Sequence, residues 1–138
     1  MNELSSQPSA GKKTRKLNIL IVDDEPGYRD LLSYQLNQMG LTTQAAENAI
    51  AALDMLNSSS YNLIVTDIRM PGGIDGIDFV EAYRQRKPNQ KVIFITGFAA
   101  EQKLANALTQ DSTKCLYKPF ELNDFLLAVR QLLWAEEA

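Results

Sequence analysis

The sequence predicts an α/β fold in which a five-stranded parallel sheet carries helices on both of its faces. Short continuous apolar runs, each bounded by turn residues, recur along the chain, and such runs are typical of strands buried in a parallel sheet. Segments with apolar residues at helical spacing separate these runs. The alternation gives five βα units, whose right-handed crossovers produce a doubly wound arrangement.

The predicted strands end in polar side chains. The first strand leads into Asp23 and Asp24, the third into Asp67, the fourth ends at Thr96 and the fifth at Lys118. Ligands of open α/β sheets bind beyond the carboxyl ends of the strands, so we expect these side chains to share one edge. We predict strands at 17–22, 41–45, 62–66, 91–96 and 114–118.

The helices have recognisable start and stop signals. The first begins at Pro26, a favoured first helical residue, and Gly40 ends it. Asp75 is a possible cap for the third helix, and Pro88 stops it. We predict helices at 26–39, 48–57, 77–86 and 99–110, with a fifth beginning after Pro119. The apolar stripe of the first helix comprises Tyr28, Leu31, Leu32, Leu36 and Met39.

The composition fits one domain with its own core. The chain has 138 residues, of which 45% are hydrophobic. Its one cysteine, Cys115, excludes an internal disulfide, which suits a reducing cytoplasm, and we expect it to be a small buried apolar side chain. No apolar stretch approaches the roughly 20 residues of a membrane span, and the N-terminus lacks the core of a signal peptide. These features favour a cytoplasmic protein.

Charge and the absence of histidine exclude several classes of function. A net charge of −3 disfavours general nucleic-acid binding. The basic cluster at 12–16 lies in a polar leader, and we expect a flexible tail over residues 1–16. A chain without histidine cannot supply a histidine triad or a histidine metal site, and any phosphohistidine must belong to a partner. Residues 17–134 are expected to form one domain with no output domain.

The acids at the strand ends fit phosphoryl transfer. A carboxylate such as Asp67 can act as a nucleophile toward phosphorus and form an acyl phosphate. Asp23 and Asp24 lie one strand away and can hold Mg²⁺ jointly with Asp67, since Mg²⁺ prefers oxygen ligands. A simpler alternative is that Asp24 or Glu25, just before Pro26, only caps the first helix.

A hydroxyl and an ammonium group complete the set. Thr96 can donate to a phosphoryl oxygen, or it can be an ordinary strand residue. Pro119 biases Lys118 toward an extended backbone, from which its ammonium can reach an acid or a phosphate, although most lysines are solvated surface residues. Gly97 allows the backbone to approach the site closely, or makes a turn. The joint placement of these residues indicates a phosphoryl-transfer site.

These residues match a known family. Over roughly 17–134, the chain resembles the receiver domain of two-component response regulators. The resemblance implies a (βα)5 flavodoxin-like fold with strand order 2-1-3-4-5. The matching elements are Asp23-Asp24, Asp67 followed by Met70-Pro71 and Asp75-Gly76, then Thr96, and finally Lys118-Pro119-Phe120.

The resemblance also implies roles for single residues. Asp67 is the phosphoacceptor, and the donor is a phosphohistidine on a sensor histidine kinase or a histidine phosphotransfer protein. Asp24 is a direct Mg²⁺ ligand, Asp23 acts through water, and the backbone carbonyl of Arg69 is a further ligand. Two other residues contact the phosphoryl group, namely Thr96 and Lys118.

The chain departs from the family pattern in four places. The loop at 71–76 is one residue longer than the common pattern. Cys115 replaces the aromatic residue that often takes part in the switch, and Tyr117 or Phe98 are candidates to substitute for it. Residues 110–113 lack the usual small-glycine-small stretch. Three residues are expected to border the site, namely Arg69, Gly97 and Phe98. Of these, Arg69 and Phe98 are expected to slow hydrolysis of the acyl phosphate.

The leading hypothesis is a signalling module that is switched by phosphorylation and acts by binding an unidentified downstream protein. It is not expected to be a turnover enzyme, to bind nucleic acid directly or to bind a membrane. A second hypothesis is a haloacid-dehalogenase-like phosphatase, although that family requires a second Asp two residues after its nucleophile and this chain lacks it. A pseudo-receiver that binds constitutively is a third hypothesis, and an N-terminal receiver fragment of a longer regulator is a fourth.

Overall fold

The computed structural model describes residues 16–97 and 102–134. Strands and helices alternate in these residues as predicted, with element ends that differ by a few residues. The strands are β1 (Asn18–Val22), β2 (Thr42–Ala46), β3 (Leu63–Asp67), β4 (Val92–Thr96) and β5 (Thr113–Tyr117). The helices are α1 (Pro26–Gln38), α2 (Ala49–Ser58), α3 (Gly76–Arg84), α4 (Gln102–Ala107) and α5 (Leu122–Trp134). Phe98, the predicted start of α4 at 99–101 and residues 1–15 of the predicted tail lie outside the described residues.

The strands form one parallel sheet in the order β2-β1-β3-β4-β5, which confirms the expected topology. The chain runs outward from β1 to β2 and then crosses back to β3, so the winding direction changes between β1 and β3. Val22 pairs with Thr66 in the register of these two strands. The residues that follow them, Asp23 and Asp67, therefore lie side by side at the switch point where such sheets bind ligands.

The sheet separates two apolar layers. Alternate residues of β1 point to opposite faces: Ile19 and Ile21 pack in the layer formed by α1 and α5, and Leu20 and Val22 in the layer formed by α2, α3 and α4. β1, β3 and β4 are almost wholly buried, as their continuous apolar runs predict. The edge strand β2 is largely exposed. Helices pack on both faces of the central strands, and this packing fixes the backbone positions of the polar residues at the strand ends.

The predicted apolar stripe of α1 is only partly buried. Leu32 and Leu36 are in the core, whereas Leu31 is 43% exposed and Tyr28 is half-buried. The first turn of this helix lies at the carboxyl edge of the sheet, above the layer that α1 shares with α5. Tyr28 therefore has an environment different from that of a core residue.

The loop from β3 to α3 is held close to the sheet by its cap and by a glycine. Asp75 caps α3 as predicted, because its Oδ1 accepts a hydrogen bond of 2.8 Å from the backbone N–H of Asp78. The next residue, Gly76, donates its N–H to the carbonyl of Ile68 at 2.7 Å. A Cβ atom at Gly76 would lie 2.1 Å from the carbonyl oxygen of Asp67. Only a residue without a side chain allows α3 to start this close to the end of β3.

No helix in residues 16–97 and 102–134 has the length and apolar character needed to cross a membrane.

We expect Gly76→Ala to destabilise the domain by about 2 kcal/mol or more, because the methyl group overlaps backbone that cannot move without displacing Asp67. Gly27→Ala is the matched control, since a Cβ there has nothing within 4 Å and the residue lies in α1. That substitution should stabilise by roughly 0.5–1 kcal/mol. Urea unfolding of both variants measures the difference, and equal effects would contradict the close approach.

Candidate functional site

Three strands bring acidic and basic side chains together at the carboxyl edge of the sheet. Asp23 follows β1, Asp67 ends β3 and Lys118 follows β5. One carboxylate oxygen from each of Asp23, Glu25 and Asp67 lies within 4.8 Å of the others. Asp23 and Asp67 are only 2% and 7% exposed, whereas the Glu25 side chain is 58% exposed, so two of the three acids are largely desolvated.

Lys118 is the cation that faces these acids. Its Nζ lies 2.9 Å from Glu25 Oε1, 3.2 Å from Asp67 Oδ2 and 3.5 Å from Asp23 Oδ2. The same Nζ is 4.2 Å from the centre of the Tyr28 ring. The Lys118-Pro119 peptide bond is cis. The distances to the three carboxylates confirm the prediction that the Lys118 ammonium reaches the acids at the strand ends.

The backbone of β4 and β5 sets the position of Lys118. Thr96 is buried at the end of β4, and its carbonyl accepts the N–H of Lys118 at 2.8 Å. This bond continues the β4–β5 ladder by one residue beyond the pair Thr96–Tyr117. The ladder places the Cα of Lys118 at the same edge as Asp67, which leaves the long side chain to span the remaining distance.

Burial controls the electrostatics of the site. Desolvation raises the pKa of both Asp23 and Asp67, and the hydrogen bonds and the charge of Lys118 only partly oppose it. Burial disfavours the charged form of Lys118, but its hydrogen bond to Glu25 and the charges of Asp67 and Asp23 outweigh this, so its pKa is raised. Three carboxylates thus face one firmly protonated amine, and the cluster retains an excess of negative charge.

Neighbouring groups orient the two buried acids. Asp23 Oδ1 accepts the backbone N–H of Glu25 at 2.9 Å, and Arg29 Nη1 donates to the Asp23 carbonyl at 2.7 Å. Thr66 Oγ1 donates to the carbonyl of Asp67 at 2.9 Å. The carboxylates are therefore held on a backbone that is itself hydrogen-bonded. Such an arrangement presents oxygen atoms in a fixed geometry, as a small divalent cation requires.

The other predicted site residues are not part of the group of acids around Lys118 in the described residues. Asp24 is exposed, and the group of three acids in the described residues does not include it. Arg69 is exposed and follows the end of β3 by two residues. Gly97 is also exposed, and a Cβ there would have nothing within 4 Å. Phe98 lies outside the described residues.

Cys115 stands where the resemblance leads us to expect an aromatic residue, and its thiol is half-buried. Cys115 packs against the layer of α2, α3 and α4, and burial raises the pKa of its thiol. The prediction of an apolar, unreactive side chain agrees with this environment, although burial is partial. Tyr117, one of the two candidates to replace the aromatic, is 44% exposed.

Sequence reasoning missed two members of the cluster. The sequence suggests only a helix-cap role for Glu25, but its side chain makes no cap hydrogen bond and pairs with Lys118 instead. The helical spacing places Tyr28 in the apolar stripe of α1, but its ring lies against the Lys118 ammonium. A sequence signal exists for Glu25, as a third consecutive acid after β1. None exists for Tyr28, because the contact joins residues 90 positions apart.

A second ion-pair group joins α4 to the start of α3. Lys103 Nζ lies 2.8 Å from Asp75 Oδ2 and 3.1 Å from Asp78 Oδ1. The hydrogen bonds to Asp75 and Asp78 raise the pKa of Lys103. Since Asp75 caps α3 and the next residue, Gly76, contacts the backbone of Asp67, α4 is connected to the acid cluster through two short steps.

Comparison with known proteins identifies relatives of this arrangement. Residues 19–130 match the family model described as the response regulator receiver domain. The chain is 38% identical over 103 residues to the response regulator protein PilR of Pseudomonas aeruginosa, covering 75% of this chain and 23% of that protein. It is 32% identical to the response regulator receiver protein CpdR of Brucella abortus, covering 85% of this chain and 97% of that protein.

A solved structure of a response regulator has the same fold. The response regulator protein TrrA from Thermotoga maritima, in complex with Mg²⁺-BeF, superposes with a TM-score of 0.75 at 32% identity, covering 85% of this chain and 99% of that one. The chain spans only about a quarter of PilR and a tenth of the sensor protein EvgS of Escherichia coli, which it also resembles. None of these matches favours the dehalogenase-like phosphatase.

We expect Asp67→Asn to stabilise the metal-free protein at neutral pH by about 1 kcal/mol, or ~4 °C in Tm, because it removes a desolvated charge. A raised acid pKa means that the folded state binds the proton more tightly than the unfolded state. The wild type therefore loses stability as the pH rises from 3.8 through the raised pKa, and the variant lacks this loss. Thermal melts in a chelator across this pH range measure it.

The exposed helical Asp54→Asn is the control, with no change expected. A lower Tm for Asp67→Asn than for the wild type in the chelator would show that the ion pair with Lys118 outweighs the desolvation of Asp67.

Proposed function

The chain belongs to the response regulator receiver domain family, and we propose that Asp67 is its phosphoacceptor, charged by a phosphohistidine on a partner protein. Receiver domains are phosphoryl-accepting signalling modules, and their donors are histidine kinases or phosphotransfer proteins. The observation that carries the proposal is the placement of Asp67, a buried carboxylate at a strand end with Lys118 Nζ at 3.2 Å.

The transfer has a simple balance. A carboxylate oxygen of Asp67 attacks the phosphorus, an O–P bond forms, and the P–N bond to the donor imidazole breaks. The imidazole leaves with the bonding electron pair and takes up a proton. The protein's part is positioning and the neutralisation of charge, which dominate phosphoryl transfer. Lys118 and Thr96 are the groups assigned to the phosphoryl oxygens, since both are located at the ends of neighbouring strands.

The proposal includes Mg²⁺ at the acid cluster. The donors fit, because Asp23 and Asp67 belong to a group of three carboxylates whose oxygens lie within 4.8 Å of one another and offer hard oxygen ligands, and Asp24 directly follows Asp23 in the chain. The assigned ligands are Asp23, Asp24 and Asp67 with the backbone carbonyl of Arg69. When bound, the metal would supply charge neutralisation to the acids and to the phosphoryl oxygens.

The output of the module is proposed to be a binding event. Residues 17–134 form the receiver domain, which we assign to the cytoplasm, and phosphorylation of Asp67 changes its affinity for a downstream protein. The donor is a sensor histidine kinase or a histidine phosphotransfer protein. Neither a turnover reaction on small molecules nor direct binding of nucleic acid or membrane is part of the proposal.

Acetyl phosphate with Mg²⁺ is expected to add one phosphoryl group to the wild type, and Asp67→Asn to add none. Intact-mass measurement checks this, followed by mapping of the labile acyl phosphate. Asp54→Asn, which removes an exposed acid on α2, is the matched control and should label like the wild type. Full labelling of Asp67→Asn would place the acceptor elsewhere.

Metal binding should distinguish Asp24 from Glu25. If Asp24 is a direct ligand, Asp24→Ala weakens Mg²⁺ binding roughly tenfold or more, and Glu25→Gln has the smaller effect. Lys118→Ala should leave the affinity unchanged or tighter, because it removes a like charge. Calorimetric titration of each variant with Mg²⁺ gives the order.

A larger loss in Glu25→Gln than in Asp24→Ala would contradict the assignment of Asp24. It would favour the carboxylates of Asp23, Glu25 and Asp67 as the ligands, which is the set that lies together in the structure.

A further inference from the structure

Tyr28 is an uncharged partner of the Lys118 ammonium. The Nζ of Lys118 is 4.2 Å from the ring centre, within the range of a cation–π interaction. The Lys118 side chain is 15% exposed and Tyr28 is half-buried, so water competes only weakly for the ammonium. Cation–π interactions are strongest under such partly desolvated conditions.

Two further aromatic rings connect the Tyr28 ring to the core. Phe120 lies 6.1 Å from Tyr28 between ring centres, and Phe125 lies 6.1 Å from Phe120. Phe125 is fully buried in α5. The three rings therefore connect the first turn of α1, through the loop after Lys118, to the core. This packing fixes the ring on the α1 side of the ammonium.

Three charged partners of Lys118 belong to the acid cluster. Glu25, Asp67 and Asp23 surround the ammonium at 2.9 to 3.5 Å. A divalent cation at these oxygens would draw on the same negative charge and repel the ammonium. The face of the Tyr28 ring is not a metal ligand and is not a phosphoryl acceptor. Its attraction for the ammonium therefore persists whatever occupies the acids.

We propose that Tyr28 is a positioning residue, which holds the ammonium of Lys118 at the site so that it can contact the phosphoryl group when the acids are engaged. This inference rests on the proposed function of Asp67 and Lys118, and it extends the site to a residue of α1. The ring acts through Lys118 and does not itself touch the reacting atoms.

The contact itself is tested in the metal-free protein, independently of phosphorylation. Ring currents should shift the ε-methylene protons of Lys118 upfield in the wild type, as seen by NMR. Tyr28→Phe should keep this shift, and Tyr28→Leu should abolish it. An unshifted Lys118 in the wild type would overturn the proposal at this stage, whether or not Asp67 is phosphorylated.

The functional effect is tested with beryllofluoride and Mg²⁺, as a mimic of the phosphoryl group. Tyr28→Leu should weaken beryllofluoride binding about fivefold, and Tyr28→Phe should bind like the wild type. In a Lys118→Ala background, Tyr28→Leu should have no further effect, because the residue through which the ring acts is gone. An equal loss in both backgrounds would overturn the proposal and leave Tyr28 with a packing role.

A graded series separates the electrostatics from packing, and covers the case in which Tyr28→Leu fails to fold. Phenylalanine, monofluorophenylalanine and trifluorophenylalanine at position 28 keep the ring but weaken its negative face stepwise. Beryllofluoride affinity should fall along the series at constant Tm, and a flat series would overturn the proposal. If the wild type binds beryllofluoride yet takes no phosphoryl group from any donor, the proposed function fails while this result stands.

Discussion

The site depends on an imbalance of charge at the carboxyl edge of the sheet. Three carboxylates face one ammonium, that of Lys118, in a region where Asp23 and Asp67 are nearly inaccessible to water. Desolvation raises the free energy of the ionised acids, and Lys118 offsets only part of it. Binding of a metal ion, or formation of a bond to phosphorus, neutralises part of this carboxylate charge and therefore lowers the free energy of the site. The fold supplies this situation by ending β1, β3 and β5 at one edge.

The positions of the acids depend on backbone contacts more than on side-chain pairing. Gly76 lies against the carbonyl of Asp67, and Asp75 fixes the start of α3 beside it. Lys103 extends this line to α4 through its ion pairs with Asp75 and Asp78. These contacts connect Asp67 to α3 and α4. The exposed ion pairs of Lys103 are the weakest step, since such pairs contribute little to stability.

Most of the fold and part of the site follow from local patterns. Continuous apolar runs identify β1, β3 and β4, and the place of Asp75 before an apolar helix marks it as a cap. The acids after β1 and β3 can be brought together because parallel strands end at the same edge. Lys118 can be assigned to the same edge because the following Pro119 favours an extended backbone at Lys118. Each of these inferences needs only the sequence within a few positions and the general rules of parallel sheets.

The amino-acid sequence alone determined the (βα)5 architecture, the receiver-like set of strand-end residues and the absence of histidine in this chain. Tertiary structure alone decided which of the three acids after β1 join Asp67: Asp23 and Glu25 do, and Asp24 does not. It also decided that Tyr28 faces the ammonium of Lys118 instead of the core. The physical reason is that consecutive residues in a loop differ in direction by backbone torsions, which long-range packing sets and local composition does not.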